Sequence, residues 1–402
     1  MRRIAWVLLL LFAFAIPWEY SLDLGDPLGN IARVTGVVLL LAAVPAVLVT
    51  GRVRTPGALQ WLALAFFLWM CCTSLWTIDP PATLARLRGC FQVMMTVWLV
   101  WEFAATPEDL RNLLRAYVAG SWVLAVLTVV SIASPGTEGQ IRFVAEGQDP
   151  NDVARFLDLG FPLAALLLEG EPGWVGKLVA LGYLPLGLMG VLVTASRSGF
   201  LAAIVALAGC ALLLVRRHMR EVLLGVFSLP AIVTALWFAV PHETLERIAT
   251  IPEQLQGGDL NYRLNIWQAG WHAFVHAPFF GSGAGSFVAA ARLAPTDTAH
   301  NTVLAIVVEA GIAGLILATA VVVVCLYALF ETPGHVRGAL ATAMLVWLVT
   351  SLVATVEQNR TTWLLLALIS LAGRLAAENR SALEDCFTQS ARATPEAEGA
   401  TA

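Results

Sequence analysis

Ten basic residues on one side of the predicted membrane are all arginines, and the chemistry they suggest is anion binding. They are Arg33, Arg86, Arg88, Arg142, Arg155, Arg197, Arg247, Arg263, Arg292 and Arg360. A guanidinium group matches phosphate oxygens in a bidentate geometry and stays charged when partly desolvated. For any single arginine, an ion pair with an acid such as Asp79 or Asp149, or a contact with lipid headgroups, is the alternative. The whole set favours a site for a lipid-linked phosphate or diphosphate.

His300 has the chemistry of a general base. Asp297 or Thr298 can cap a helix at this point, which places His300 in the first turn of that helix. The positive end of the helix dipole disfavours imidazolium, so the ring is neutral and can accept a proton near pH 7. A histidine at a helix start is more often structural when it stands alone. The arginine set around it favours the role of a base.

Arg263 opens a predicted amphipathic helix that lies on the membrane surface or beneath the loop. The apolar residues at three- and four-residue spacing are Leu264, Trp267, Trp271 and Phe274. Pro278 ends the pattern. A cation in the first turn of a helix is electrostatically unfavourable, so we expect an anion nearby. The alternative is an ion pair with Asp259.

Two other patterns in this stretch predict no site. His272 and His276 have the i,i+4 spacing of zinc ligands, but Ala273 stands where the HExxH motif has glutamate, and no third ligand is evident. The glycine-rich run GSGAGS at 281–286 resembles a phosphate loop only superficially, because no strand precedes it. We interpret it as a tight connector whose backbone approaches the substrate. We expect no metal and no cofactor, and the absence of a basic tract argues against nucleic acid.

The elements that must position these residues are membrane-crossing helices. The chain is 58% hydrophobic and only 13% charged, with a mean hydropathy of +0.77, whereas a soluble domain has about 25% charged residues. Apolar runs of about 17 to 25 residues recur along its length. The sequence therefore predicts an all-α polytopic membrane protein. The twelve predicted spans are 4–20, 31–50, 58–77, 89–104, 110–132, 152–169, 174–193, 198–215, 221–240, 300–330, 337–356 and 361–377.

The short basic loops 51–57 and 216–220 identify the cytoplasmic side and place both termini there. The predicted organisation is spans one to nine in 1–240, one large outer loop in 241–299, spans ten to twelve in 300–377, and a disordered tail in 378–402. Span ten would be about 46 Å long against a hydrocarbon core of about 30 Å, so its start should protrude from the bilayer.

Two polar positions in the spans carry further expectations. Asp149-Pro150 interrupts the structure before span six, and Asn151 or Asp152 can cap that helix. Glu309 lies deep in span ten and is costly unless paired, so we expect an arginine partner on another helix.

Four stretches resemble the O-antigen ligase and polymerase superfamily. They are DPNDVARFLDLGFPLA (149–164), TASRSGFLA (194–202), YRLNIWQAGWHAFVHAPFFGSGAGSF (262–287) and HNTVLAIVVEAGIAGLI (300–316). The resemblance implies a GT-C-like membrane fold with one large periplasmic loop, in the inner membrane of a Gram-negative bacterium. It also implies a metal-independent, inverting sugar transfer on the periplasmic face.

The resemblance further implies the substrates and the residues that act on them. The donor would be an O-antigen glycan on undecaprenyl diphosphate, the acceptor lipid A-core, and membrane lipids would surround both. By motif, Arg197, Arg263 and His300 match the family's catalytic positions. We hypothesise that the two arginines hold the diphosphate and that His300 orients or deprotonates the acceptor hydroxyl. The candidate substrate-binding residues are Arg86, Arg88, Arg142, Arg155, Arg360 and Asn301.

The motifs leave the acceptor open. An O-antigen polymerase or a protein O-oligosaccharyltransferase of the same superfamily would carry the same residues. A lipid or glycan transporter is the alternative of a different class, and it predicts that function survives the loss of His300. A membrane scaffold is disfavoured because the outer arginines lie on one side.

Overall fold

The computed structural model describes residues 1–25, 28–134, 140–171, 173–215, 240–258 and 262–388. Within these residues the chain forms fifteen α-helices, three short 3-10 helices and no β-strand. The α-helices are α1 (Arg2–Ala15), α2 (Ile31–Thr50), α3 (Ala58–Cys72), α4 (Pro80–Phe103), α5 (Pro107–Val130), α6 (Pro150–Gly170), α7 (Trp174–Val193), α8 (Arg197–Val215), α9 (His242–Ala249), α10 (Ile251–Gly257), α11 (Arg263–His276), α12 (Phe287–Ala290), α13 (Thr302–Glu331), α14 (Gly334–Ser351) and α15 (Arg360–Cys386).

Helices occupy eleven of the twelve predicted spans. Eight of the described helices are long and apolar enough to cross a membrane, namely α1 with its 3-10 extension, α2, α3, α5, α7, α8, α13 and α15. Helices α4, α6 and α14 fall at three further predicted spans. Span nine, 221–240, lies outside the described residues except for Val240. The all-helical architecture and the membrane-spanning composition are therefore confirmed, and the count of twelve spans stays a prediction.

Two helices, α6 and α15, are enclosed by their neighbours. All residues of α6 from Val153 to Gly170 are buried, and α6 packs against α5, α7, α8 and α14. Helix α15 is mostly buried as well and packs against α4, α5 and α13. Because protein surrounds α6, this helix can carry polar groups that would be costly in contact with lipid. An example is Glu169, which is buried in α6 and lies 3.0 Å from His335.

Helix α13 is broken, in contrast to the continuous helix predicted for 300–330. Gly311 has φ 67° and ψ −169°, which divides the helix into segments 302–310 and 312–331. A Cβ atom at Gly311 would collide with the backbone oxygen of Phe279. Glycine therefore permits both the left-handed backbone and the close approach of another chain segment. The prediction of one continuous helix over 300–330 is wrong, and the protrusion of its start from the bilayer stays a prediction.

The connector 278–283 fills the break in α13. The backbone nitrogen of Ser282 donates to the oxygen of Val308 at 2.8 Å, and that of Gly283 donates to the oxygen of Glu309 at 3.0 Å. Backbone groups released by a break inside a membrane helix must find partners in the protein, and here the connector supplies them. The segment 302–310 is thus held by the outer loop as well as by the rest of its own helix.

The start of α6 and the end of α15 differ from the predictions. Asp149, rather than Asn151 or Asp152, is the N-cap of α6. Its Oδ1 accepts from the backbone nitrogen of Asn151 at 2.8 Å and from that of Asp152 at 3.3 Å. Helix α15 continues to Cys386, with a kink at Asn379, and the side chain of Phe387 is buried. The predicted disorder is therefore wrong for 378–388, and 389–402 lie outside the described residues.

Helices α9 to α12 lie in the predicted outer loop 241–299. Helix α11 packs against α12 and α13. It buries Ile266, Gly270 and Ala273, while Leu264 and Trp271 of the predicted apolar set are exposed by 49% and 59%. Trp267 and Phe274, the other two of that set, are partly buried in the packed cluster. The exposed apolar side chains are what a helix at a membrane surface presents to lipid.

Candidate active site

Four arginines converge on one cavity of about 190 Å³, which we call the cationic pocket. Its polar lining consists of Arg142, Arg197, Arg247 and Arg263 together with Asn151, Ser198 and Gln254. Of the described residues that line it, none is acidic. Four like charges around a small cavity repel one another, so the pocket is suited to an anion with more than one negative charge.

Two of these arginines are the first residues of helices. Arg197 begins α8 and Arg263 begins α11. Tyr262, directly before Arg263, has a left-handed φ of 66°, and Ala195, two residues before Arg197, has a left-handed φ of 49°. The N-termini of both helices therefore border the cationic pocket. Unpaired backbone N–H groups and the helix dipole at these ends add positive potential to that of the side chains.

Hydrogen bonds to neutral oxygens orient the guanidinium groups. Arg197 donates to the backbone oxygen of Arg247 at 3.1 Å and to Oγ1 of Thr250 at 2.6 Å. Arg142 donates to the backbone oxygen of Thr194 at 3.1 Å and to Oδ1 of Asn151 at 3.2 Å. These acceptors carry no net charge, and they orient the two guanidinium groups in the wall of the pocket.

The surroundings of three arginines in the cationic pocket disfavour their charged form. Burial lowers the pKa of Arg142, Arg247 and Arg263, and neighbouring arginines lower the pKa of Arg142 and Arg247 further. The carboxylate of Asp149 opposes the shift for Arg142 and Arg263. An anion in the pocket would relieve both the repulsion and the loss of water contacts.

A second cavity, of about 510 Å³, adjoins the cationic pocket and contains His300. Asn151 and Val353 line both cavities. The second cavity, which we call the histidine cavity, also has carboxylates in its wall, among them Asp149 and Glu309. The structure therefore places the predicted base next to the predicted anion site, although their residues are far apart along the chain.

His300 precedes α13 and does not lie in its first turn. Asn301 is the N-cap, and its Oδ1 accepts from the backbone nitrogen of Leu304 at 2.9 Å. The prediction that Asp297 or Thr298 caps a helix containing His300 is wrong, because His300 itself adopts a left-handed backbone with φ 46°. Asn301 also donates to the backbone oxygen of Leu352 at 3.1 Å, so the start of α13 is tied to the segment after α14.

The surroundings of His300 disfavour its protonated form. Burial lowers the pKa of His300, and the charge of Arg263 lowers it further, whereas Asp149 and Asp297 oppose the shift. A neutral ring was predicted from the helix dipole, but His300 lies before α13, and the causes of the lowered pKa are desolvation and the charge of Arg263. Oγ1 of Thr298 lies 3.3 Å from Nδ1 of His300. In the tautomer whose Nδ1–H donates to Thr298, Nε2 carries the lone pair and can accept a proton.

Three of the predicted substrate-binding arginines are ion-paired inside the helix bundle. Arg86 contacts Glu309 at 2.9 Å and Glu357 at 2.6 Å, which confirms the predicted arginine partner for Glu309. Arg155 contacts Asp152 at 2.6 Å, and Arg360 is bonded to Glu19 and Gln92. Carboxylates of the protein already match the charges of these three arginines. Contacts between the three arginines and phosphate stay a prediction.

The predicted site residues separate into those that the structure brings to the two cavities and those that it does not. Arg142, Arg197 and Arg263 line the cationic pocket, while Arg86 and His300 line the histidine cavity. Arg88, Arg155, Arg360 and Asn301 line neither cavity, and Arg88 is exposed.

Four polar residues of the cationic pocket were missed as site residues, namely Asn151, Ser198, Arg247 and Gln254. Arg247 was one of the ten outer arginines, and Asn151 belongs to the DPND motif. Membership of the outer set was the available signal for Arg247, but nothing in the sequence separated it from Arg33 or Arg292.

The glycine-rich run 281–286 acts as a connector. The backbone nitrogen of Gly285 donates to Oε2 of Glu309 at 2.7 Å, and that of Ala284 donates to Oγ1 of Thr73 at 2.9 Å. Gly285 has φ 77°, and a Cβ atom there would collide with the backbone oxygen of Ala82. These backbone N–H groups hold protein elements together, so they are not available for phosphate.

In the part of the chain that the structure describes, no three His, Cys, Asp or Glu side chains are grouped so that they could hold a metal ion. Nδ1 of His276 lies 2.7 Å from the backbone oxygen of His272, one helical turn earlier. Both histidines line a separate groove on α11.

Comparison with known proteins agrees with the resemblance seen in the motifs. The O-antigen ligase family, Wzy_C, matches residues 182–319. This region runs from α7 to the second segment of α13 and contains three of the four motif stretches, Arg197, all of α11, and His300. A search of curated proteins gave no match. Residues 182–319 thus carry an O-antigen ligase family domain, which supports the O-antigen ligase and polymerase superfamily for this membrane protein.

Proposed function

We propose that the protein is a glycosyltransferase that moves an O-antigen glycan from undecaprenyl diphosphate to lipid A-core. The observation that carries the proposal is the juxtaposition of the cationic pocket with the histidine cavity. One provides a multivalent positive site for a diphosphate, and the other provides a base whose pKa is lowered. The family match over residues 182–319 supports this class of reaction.

The reaction divides between the two cavities. The diphosphate of the donor lies among Arg142, Arg197, Arg247 and Arg263 in the cationic pocket. As the bond between the sugar C1 and the diphosphate oxygen breaks, the electron pair leaves with the diphosphate, and the arginines stabilise the added charge. The acceptor hydroxyl attacks C1 from the opposite face, so the configuration inverts.

His300 acts as the general base in this scheme. Nε2 accepts the proton of the acceptor hydroxyl as the new C1–O bond forms, while Nδ1–H is held by Thr298. The positive charge needed at the leaving group is supplied by guanidinium groups, so the proposed step requires no metal. Arg86, Arg155 and Arg360 neutralise buried carboxylates, and Asn301 caps the helix that follows His300.

An apolar cavity provides room for the lipid carrier. It measures about 420 Å³, lies between α13, α14 and α15, and is lined almost entirely by apolar side chains such as Val322 and Leu348. Its lining includes Leu352, which is next to Val353 in the chain, and Val353 lines both the cationic pocket and the histidine cavity. An isoprenoid chain in this cavity would run from the reacting diphosphate into the bilayer, which supports a polyprenyl-linked donor.

The proposal places the reaction on the periplasmic face of the inner membrane of a Gram-negative bacterium, with both termini in the cytoplasm. The short basic loops 51–57 and 216–220 support this orientation through the positive-inside rule. The cationic pocket and the histidine cavity then open on the side where lipid-linked glycans are presented.

The test is a transfer assay with purified protein and labelled glycan on undecaprenyl diphosphate. Lipid A-core, a second lipid-linked repeat unit and a polypeptide are offered as separate acceptors. We expect product with lipid A-core and a loss of at least about a hundredfold in His300→Ala and Arg263→Ala, with Arg33→Ala as the exposed-arginine control. Transfer to the repeat unit or the polypeptide alone would replace the ligase by a polymerase or a protein glycosyltransferase. Normal transfer by both variants would refute the role of the site.

A further inference from the structure

We propose that a groove on α11, separate from the two cavities above, binds a saccharide. The groove measures about 660 Å³, and we call it the amide groove. Its polar side chains are Asn265, Gln268, His272, His276, Ser282 and Arg292. The inference rests on the proposed function only for the source of the sugar, which is either the donor glycan or the sugar part of the acceptor.

The polar groups of the amide groove match sugar hydroxyls. Each side-chain amide offers a donor and an acceptor in one plane, and a hydroxyl group both donates and accepts. The described residues provide no hydrogen-bond or ion-pair partner for the side chains of Asn265, Gln268 or Arg292, and all three are exposed. Because no described residue in the lining is acidic, the groove does not suit a cation.

The helix spacing produces one continuous binding face. Asn265, Gln268 and His272 follow one another at three and four residues, so they lie on one side of α11. Arg263 and Trp267, which line the cationic pocket, lie on the other side. The same helix can therefore contact a diphosphate with one face and a sugar chain with another.

Small apolar residues form the floor of the groove. They are Ala269, Ala273, Ala290 and Ala291, with Ile78 at the edge. Short side chains leave space above them, and the C–H faces of a pyranose ring can pack on an apolar floor while its hydroxyls reach the rim. Larger residues at these positions would close the groove.

Arg292 adopts a backbone conformation that is unfavourable for its residue type. Its φ is 55°, in the left-handed region, and the turn is closed by a hydrogen bond from its nitrogen to the oxygen of Ala289 at 3.3 Å. Non-glycine residues held in such a conformation are concentrated at binding and active sites. The turn brings the guanidinium group to the groove rather than to the packed side of α12.

The groove and the histidine cavity are both lined by residues of α12. Helix α12 separates them, since Phe287 and Val288 line the histidine cavity whereas Ala290 and Ala291 line the amide groove. A helix of four residues is about 6 Å long, a length comparable to one sugar unit. A glycan whose first sugar lies beside His300 would place its later sugars in the groove.

The experiment compares donors that carry one sugar or several sugars on the same polyprenyl diphosphate. The test variant is Gln268→Ala/Arg292→Ala, and the matched control is Gln140→Ala/Arg33→Ala, which makes the same changes at exposed residues outside the groove. For a donor glycan we expect kcat/KM to fall by about tenfold or more for the longer donor and by less than twofold for the single-sugar donor. If the acceptor sugar binds instead, the KM of the acceptor rises and the donor series is unchanged.

A binding measurement separates this inference from the proposed function. The lipid-free oligosaccharide is added to the purified full-length protein, and saturation-transfer NMR reports the contact. Binding by the native protein and by the control variant, with loss in Gln268→Ala/Arg292→Ala, supports the groove even if no transfer is catalysed. No binding together with equal kinetics for the native protein and the test variant would show that this face of α11 is only a solvated helix surface.

Discussion

The arginines of the outer side fall into two groups with opposite surroundings. Arg86, Arg155 and Arg360 lie in the helix bundle and contact carboxylates of Glu309, Asp152 and Glu19. The four arginines of the cationic pocket lie at helix ends and loops, and Arg142 and Arg197 are oriented by neutral oxygens. A charge enclosed by protein must be paired because its desolvation is costly. The described lining of the cationic pocket contains four partly buried arginines and no carboxylate, so it suits a multivalent anion.

The largest expected effect comes from removing one arginine of the paired group. Arg86→Met leaves Glu309 and Glu357 buried beside each other without a cation. We expect a loss of about 3–5 kcal/mol in the free energy of unfolding, the usual result of breaking a buried ion pair. The measurement is reversible unfolding of the purified protein in detergent.

Arg247→Met is the matched change in the cationic pocket. Because this substitution reduces repulsion from Arg197, the stability should change little or increase. Equal destabilisation by both substitutions would mean that the cationic pocket is held together by ion pairs, as the bundle is.

The second effect concerns catalysis. Arg247→Met removes one of four charges that face the proposed diphosphate, so we expect transfer to fall by about tenfold to a hundredfold while the protein stays folded. Arg33→Met serves as the control, because Arg33 is exposed and lines neither cavity. The readout is kcat/KM with the polyprenyl diphosphate donor.

If the control variant loses transfer to a similar extent as Arg247→Met, the cause is the general positive potential of the outer face. In that case raising the ionic strength should weaken transfer by the native protein to a similar degree. A specific pocket predicts a smaller salt effect, since buried charges are screened less.

Helix positions could be predicted well from the sequence because apolar runs of span length are a local signal. The predictions 31–50 and 174–193 coincide with α2 and α7. The break at Gly311 could not be predicted, since apolar residues flank it on both sides and its cause is the insertion of 278–283.

The division of the arginines could not be predicted either. Arg86 and Glu357 are separated by 271 positions in the chain, and only tertiary structure reveals their contact. The structure brings Arg142, Arg197 and Arg263 of the candidate set to one cavity, and their catalytic and binding roles stay predictions. Arg247 was passed over because its neighbours in sequence carry no motif.

The smallest effect, and the most specific one, is on the pH dependence of transfer. His300 must be neutral to accept a proton, so activity should fall as the pH drops through its pKa, which burial and Arg263 hold below the usual 6.5. Removing the charge in Arg263→Gln favours imidazolium and should move this acidic limb to higher pH, by up to about one unit. Asp149→Asn removes an opposing negative charge and should move the limb to lower pH.

The pH dependence of kcat/KM is measured for both variants between about pH 5 and 8, the range in which a histidine titrates. Arg263→Lys keeps the charge and should keep the position of the limb even if the rate falls, because a lysine cannot reproduce the bidentate contact. Opposite shifts in Arg263→Gln and Asp149→Asn would identify His300 as the titrating group, since both charges act on it. A limb that stays in place in both variants would assign it to another group, and the histidine cavity would then contribute positioning rather than proton transfer.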